Sequence, residues 1–179
     1  MQRILELGLT LGLVLATITP ALGDGITDPV DRILKVAEAR WASMESEAPD
    51  YFDHIDRDFS KRFGEIYMEA SKYPAYDEGT SPFDYDVITS SQDGCPLKDI
   101  TTSPQGDKDG VGTVEASFKL WTCAPDAESQ ARVSRLKFDI VTEDGKAVID
   151  DVHRFNEDKW DSLRAEMEEI VRLGKQQQP

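Results

Sequence analysis

Apolar residues along this chain repeat first with the period of a helix and then with the period of a strand. Val30, Ile33, Leu34, Ala37, Trp41 and Met44 recur at helical spacing. Asp28-Pro29 opens that segment: an aspartate accepts from the free amides of a first turn, and proline has no N–H to leave unpaired there. The spacing predicts an amphipathic helix of about five turns, ending between Glu45 and Pro49. Tyr51 to Tyr73 reads as one or two shorter helices, with Ser60 as a cap and Phe63, Ile66, Tyr67 and Ala70 as the apolar stripe. Lys61 and Glu65 stand four apart on it as a favourable pair. Tyr73-Pro74 ends it, and Ala75 to Pro82 is loop.

From Phe83 the alternation becomes twofold. Phe83, Tyr85 and Val87 point one way and Asp84 and Asp86 the other, which predicts a strand over Phe83–Ile88 with a solvated acidic face. Gln92-Asp93-Gly94 reads as the turn that follows it. Further strands are predicted over Val111–Cys123 (Val114, Ala116, Phe118, Leu120 inward), Val133–Thr142 (Val133, Leu136, Phe138, Ile140) and Ala147–Phe155 (Ala147, Ile149, Val152). The last two are joined by a tight turn at Glu143-Asp144-Gly145-Lys146. Ile100–Gly110 and Ala124–Gln130 carry turn chemistry and read as loops. Asp161-Ser162-Leu163 starts a final helix bearing Leu163, Met167, Ile170 and Val171, with Glu168 and Arg172 as an i,i+4 pair and Gly174 as its stop. Lys175 to Pro179 reads as a frayed tail. Helices, then strands, then a helix make an α+β fold: N-terminal helices packed on a curved antiparallel sheet of about four strands, closed by a C-terminal helix. Residues 24–174 form one domain, with no repeat and no linker inside it.

The segment before this domain changes the picture. Arg3 precedes an apolar run from Leu7 to Ile18, Pro20 breaks it, and Ala21-Leu22-Gly23 supplies the small residues of a cleavage site. Residues 1–23 are therefore expected to be a secretory signal cut near Gly23/Asp24, and the run of about 12 residues is too short to span a bilayer. Arg3 and Glu6 cancel, so the formal charge of −15 stays on the exported part. Such a field repels nucleic acid and anionic lipid and draws cationic partners. In an oxidising compartment Cys95 and Cys123 are expected to join. That bond closes a loop of about 28 residues, worth roughly 3 to 4 kcal/mol of chain entropy.

Several pieces together resemble the bacterial envelope family known as domain of unknown function 3828. They are the helix running to Trp41, Phe59-Ser60-Lys61-Arg62-Phe63, Phe83-Asp84-Tyr85-Asp86-Val87-Ile88 leading to Gln92-Asp93, Asp144-Gly145 with Ile149-Asp150-Asp151-Val152, and Ser162-Leu163-Arg164. Lys146-Ala147-Val148 departs from it, since similar proteins tend to carry a tryptophan after the turn glycine. The resemblance implies a nuclear transport factor 2-like cone and an envelope location. It makes Asp84, Asp86, Gln92, Asp93, Asp150, Asp151, Ser162 and Leu163 hallmarks of the fold, and it implies no activity.

Cones of this kind often hold a pocket between sheet and helices, where a desolvated carboxylate or histidine acts as a base. Asp86, Asp151, His54, His153 and Tyr67 are the candidates here. Strand alternation puts Asp86 on the wet face, allows only one of Asp150 and Asp151 inward, and leaves His153 at a strand end on the surface. Asp107-Lys108-Asp109-Gly110 begins like a calcium loop but lacks its later ligands, and two distant histidines do not make a zinc site, so no metal and no cofactor is expected. There is no nucleophile elbow and no phosphate loop. Trp121, Tyr85 and Phe83 read either as core or as a contact patch. The expectation is a periplasmic binding or accessory protein of the cell envelope. Its partner is an envelope protein or a small molecule, and its oligomeric state is open. Two other readings remain: a cone-fold isomerase or dehydratase using one buried carboxylate, and an immunity or inhibitor protein for a basic partner.

Overall fold

The computed structural model describes residues 25–42, 49–77, 79–156 and 158–177. The expected leader with its cleavage site, Met44 and Glu45, and the last two residues lie outside them. The first helix, α1, spans Asp28–Ala42, with Val30, Ile33, Leu34 and Ala37 buried as their spacing requires. Two helices follow, α2 over Ile55–Asp58 and α3 over Lys61–Ala70. Ser60 caps α3, its Oγ accepting from the Phe63 amide at 3.0 Å. The Phe63 ring stacks on Phe59 with centroids 4.5 Å apart, and Phe52 lies 4.1 Å from Tyr67.

Five antiparallel strands run in the order β1-β2-β3-β4-β5: β1 Lys98–Lys108, β2 Val111–Lys119, β3 Ser134–Glu143, β4 Lys146–Asn156 and the short β5 Lys159–Trp160. The helix α4, Ala127–Ala131, interrupts the expected loop before β3 and is capped by Asp126. The last helix, α5, covers Leu163–Gln177. Val114, Ala116 and Phe118 from β2 and Leu136, Phe138 and Ile140 from β3 meet α1, α3 and α5 in one core. Each such side chain contributes about 1.5 to 3 kcal/mol by leaving water. Cys95 and Cys123 are joined by a disulfide. No described helix is long and apolar enough to cross a membrane.

Several expectations change. Phe83–Ile88 is not a strand but a loop containing one isolated bridge, Asp86 to Ser91. The reason is Asp86, whose Oδ1 accepts from the Ile88 and Thr89 amides and so diverts the backbone donors a ladder needs. The stretch around Ile100–Gly110 is strand, not loop: β1 is an edge strand exposed on most of its length, held by backbone pairing to β2, so it has no apolar alternation to display. It ends in a two-residue turn where Asp109 and Gly110 both take positive φ, as Asp144 and Gly145 do between β3 and β4. Val133 is 48 % exposed, because its odd spacing to Leu136 puts it off the inward face. α5 does not stop at Gly174 but runs on to Gln177. There a Cβ would stand 2.2 Å from the Tyr73 ring, so glycine is a packing choice and not a cap. Lys61 pairs with Asp144 rather than Glu65, and Arg172 with Glu169 rather than Glu168.

Candidate functional site

The two adjacent aspartates of β4 are both buried, against the expectation that only one turns inward. A β-bulge explains it. Asp139 faces Asp151 and Ile140 faces Ile149, which leaves Asp150 as the extra residue that reverses the alternation. Each carboxylate then anchors one helix start. Ser60, the cap of α3, donates to Asp150 at 2.8 Å, and Ser162, ahead of α5, donates to Asp151 at 2.6 Å. Negative charge at the amide-rich start of a helix is favourable. Arg62 and Arg164 add donors to Asp150, and the Val152 and Arg164 amides donate to Asp151. Burial alone pushes the Asp150 carboxyl up, but hydrogen bonds from Arg62 and Ser60 and the charge of Arg164 hold it below the usual carboxylate range. Asp151 is thus a helix anchor whose oxygens are filled.

The other candidates scatter. His54 is exposed at the start of α2 and makes no capping bond. Tyr67 belongs to the aromatic stack along α3, and burial raises its phenol. His153 is not a free surface residue: it is half-buried, with Nε2 2.9 Å from Asp139 and Nδ1 2.8 Å from the Asp161 carbonyl. Asp107 accepts from the Gly110 amide within its hairpin, and among the described residues no group of three potential metal ligands comes together.

Asp86 is where the sequence reading changes most. Its side chain is 9 % exposed, not solvated, and its two oxygens do separate work. Oδ1 accepts from the Ile88 and Thr89 amides and from Thr89 Oγ1, which shapes the loop. Oδ2 accepts from the Tyr51 hydroxyl at 2.7 Å and from Trp41 Nε1 at 3.3 Å, and lies 3.6 Å from Arg40 Nε. Burial, then the Asp86 charge, pushes the Tyr51 phenol far up, so it stays a donor. Tyr85 is tied in the same way on another wall: its hydroxyl donates to Glu166 and accepts from Arg154, which also binds Asp161.

Arg40, Trp41, Tyr51, Tyr85 and Asp86 border an open cleft of about 1150 Å³ between the end of α1, the Phe83–Cys95 loop and the Trp121–Pro125 segment. Trp41, Tyr51, Phe83, Tyr85 and Trp121 line it. Asp84 and Asp93 stand exposed on it, and Gln92 closes the loop by donating to the Asp84 carbonyl. Gly94 lets the wall close, since a Cβ there would lie 2.5 Å from Leu120 and 2.7 Å from Trp41. The disulfide borders the same cleft. Arg40 and Tyr51 carry no signal in the sequence because no local spacing announces contacts with Asp86, 46 and 35 residues away. A second cleft of about 690 Å³ follows α3, with lysines and acids mixed along it. No family model, no curated protein and no solved structure matches the chain.

Proposed function

We propose that the chain is an exported, non-catalytic binding or accessory protein of the cell envelope, and that the aromatic cleft beside Asp86 is where it takes its ligand or partner. The observation that carries this reading is the use of Asp86. A general base needs a carboxylate with a free lone pair facing the substrate. Here the oxygens are filled by loop amides, a tyrosine and a tryptophan, so the carboxylate holds rings in place instead. Trp41 and Tyr85, half-buried with their polar tips satisfied, offer ring surface to the cleft, and pre-organised aromatic surface is what binding sites are made of. Asp151 is engaged in the same manner by the start of α5.

The resemblance to the 3828 family and its nuclear transport factor 2-like cone supports the same reading. Helices lie on one face of the antiparallel sheet, and the hallmark residues Asp84, Asp86, Gln92 and Asp93 fall at the cleft. The Cys95–Cys123 disulfide supports a periplasmic location, since such bonds persist in oxidising compartments. A photo-reactive residue placed at Asp84 tests the assignment against one at Lys108, on the exposed end of β1. In the native cell, covalent adducts are expected from position 84 and not from 108. Equal labelling at both positions, or none at 84, overturns it.

A further inference from the structure

We propose that the cleft takes an organic cation, an ammonium or guanidinium group borne on an apolar or aromatic body. The inference rests on the binding reading above and adds the chemical class of the ligand. Four aspartates line the cleft, Asp50, Asp84, Asp86 and Asp93, against one cation, Arg40. Asp86 spends its charge on Arg40. Among the described residues the carboxylates of Asp84 and Asp93 have no ion-pair partner, so the rim is left negative. A concave surface with low-dielectric walls concentrates such a field.

The rings supply the second half of the recognition. Trp41 and Tyr51 have their polar tips fixed on Asp86, and a cation is attracted to a fixed aromatic face, the more so as water is excluded. The protein already displays the arrangement with its own side chain. The Arg40 guanidinium lies 5.1 Å from the centroid of the Tyr51 ring. It is loosely held: Nε is buried without a hydrogen-bond partner among the described residues, and the bond to the Pro49 carbonyl is long, at 3.4 Å. Arg40 is thus an internal competitor, a tethered cation on the ring a ligand cation would use. Removing it deepens the negative field and bares the Tyr51 face. An anionic ligand would meet the acidic rim and the net charge of −15 together.

Three soluble benzyl compounds test this on the purified protein with its disulfide intact: benzyltrimethylammonium, benzyl alcohol and benzylsulfonate. The indole N–H resonances of Trp41 and Trp121 report binding. The cation is expected to move them saturably and to bind more weakly as salt is raised. Arg40→Gln is expected to tighten cation binding about fivefold, and the Asp84→Asn/Asp93→Asn pair to weaken it by about as much. Tightening on loss of a positive residue is a sign that a merely structural Arg40 does not produce. The alcohol or the sulfonate binding as well as the cation, or Arg40→Gln leaving cation affinity unchanged or weaker, overturns the cation class and leaves the cleft as a binding site. No movement of either indole with any of the three at about 10 mM, weaker than any useful affinity, overturns both.

Discussion

His153 presents its two ring nitrogens to two groups that can only accept, the Asp139 carboxylate and the Asp161 carbonyl. A neutral imidazole has one N–H and satisfies one of them; the imidazolium satisfies both. The hydrogen bond to Asp139, opposed by burial and aided by the charge of Asp151, raises the His153 pKa above its ordinary value. A raised histidine contributes stability in full below the unfolded value of about 6.5 and loses it as pH climbs through the folded one. Thermal melts of the wild type should therefore fall across that window. A His153→Gln variant, which keeps one donor at every pH, should show a smaller fall, and His54, exposed in both proteins, cancels in the difference. A difference that is flat, or that grows with pH, sinks the assignment. The sequence showed His153 as a strand-end residue because its acceptors lie on β3 and beyond β5, contacts that only pairing creates. Asp86 was hidden for a related reason: the alternation around it is that of a strand, but an aspartate side chain competes for backbone amides, and period alone does not register that competition.

Among the elements, the helices were the legible part, since their buried stripes repeat every turn against a single core. α1, α3 and α5 bury most of the residues their spacing marks out, with Trp41, Ile66, Tyr67 and Ile170 only partly covered. The strands were legible where one face is buried, as in β2 and β3, and illegible where it is not, as in β1. The bulge in β4 escapes any pattern, because one inserted residue reverses the alternation it interrupts. Gly174 gives the sharpest test at this scale. In an exposed helix, glycine to alanine is stabilising by about 1 kcal/mol. Here the added methyl meets the Tyr73 ring, so Gly174→Ala should lower stability instead, by roughly 1 to 3 kcal/mol as overpacking does. Pairing it with Tyr73→Ala should restore the ordinary sign. Chemical denaturation of the two single variants and the double variant checks this, and a stabilised Gly174→Ala alone refutes the contact.

For the molecule as a whole, the disulfide ties the loop carrying Gly94 to the segment carrying Trp121, two walls of one cleft. Its removal in a Cys95→Ser/Cys123→Ser variant should cost about 3 to 4 kcal/mol. For a domain of this size that is a fall in Tm on the order of 10 °C. The same change should broaden the Trp121 indole signal while leaving that of Trp160, on β5, sharp. A melt within about 2 °C of wild type would mean that the bond constrains little that the core does not already hold. The α+β class, the order of helices and sheet, and this bond could be read from the chain. The cleft could not, because its lining comes from four stretches that share no local pattern. The free rim of β1 carries a last consequence. Pro104 has no amide to offer a neighbouring chain, and pairing slips between Pro104 and Gly106 and again between Lys98 and Thr101. Two copies therefore have no long straight margin along which to zip together. Among the described residues β1 has no partner on its outer side, and its proline and its bulges work against edge-to-edge pairing even where salt masks the mutual repulsion of the acidic surface.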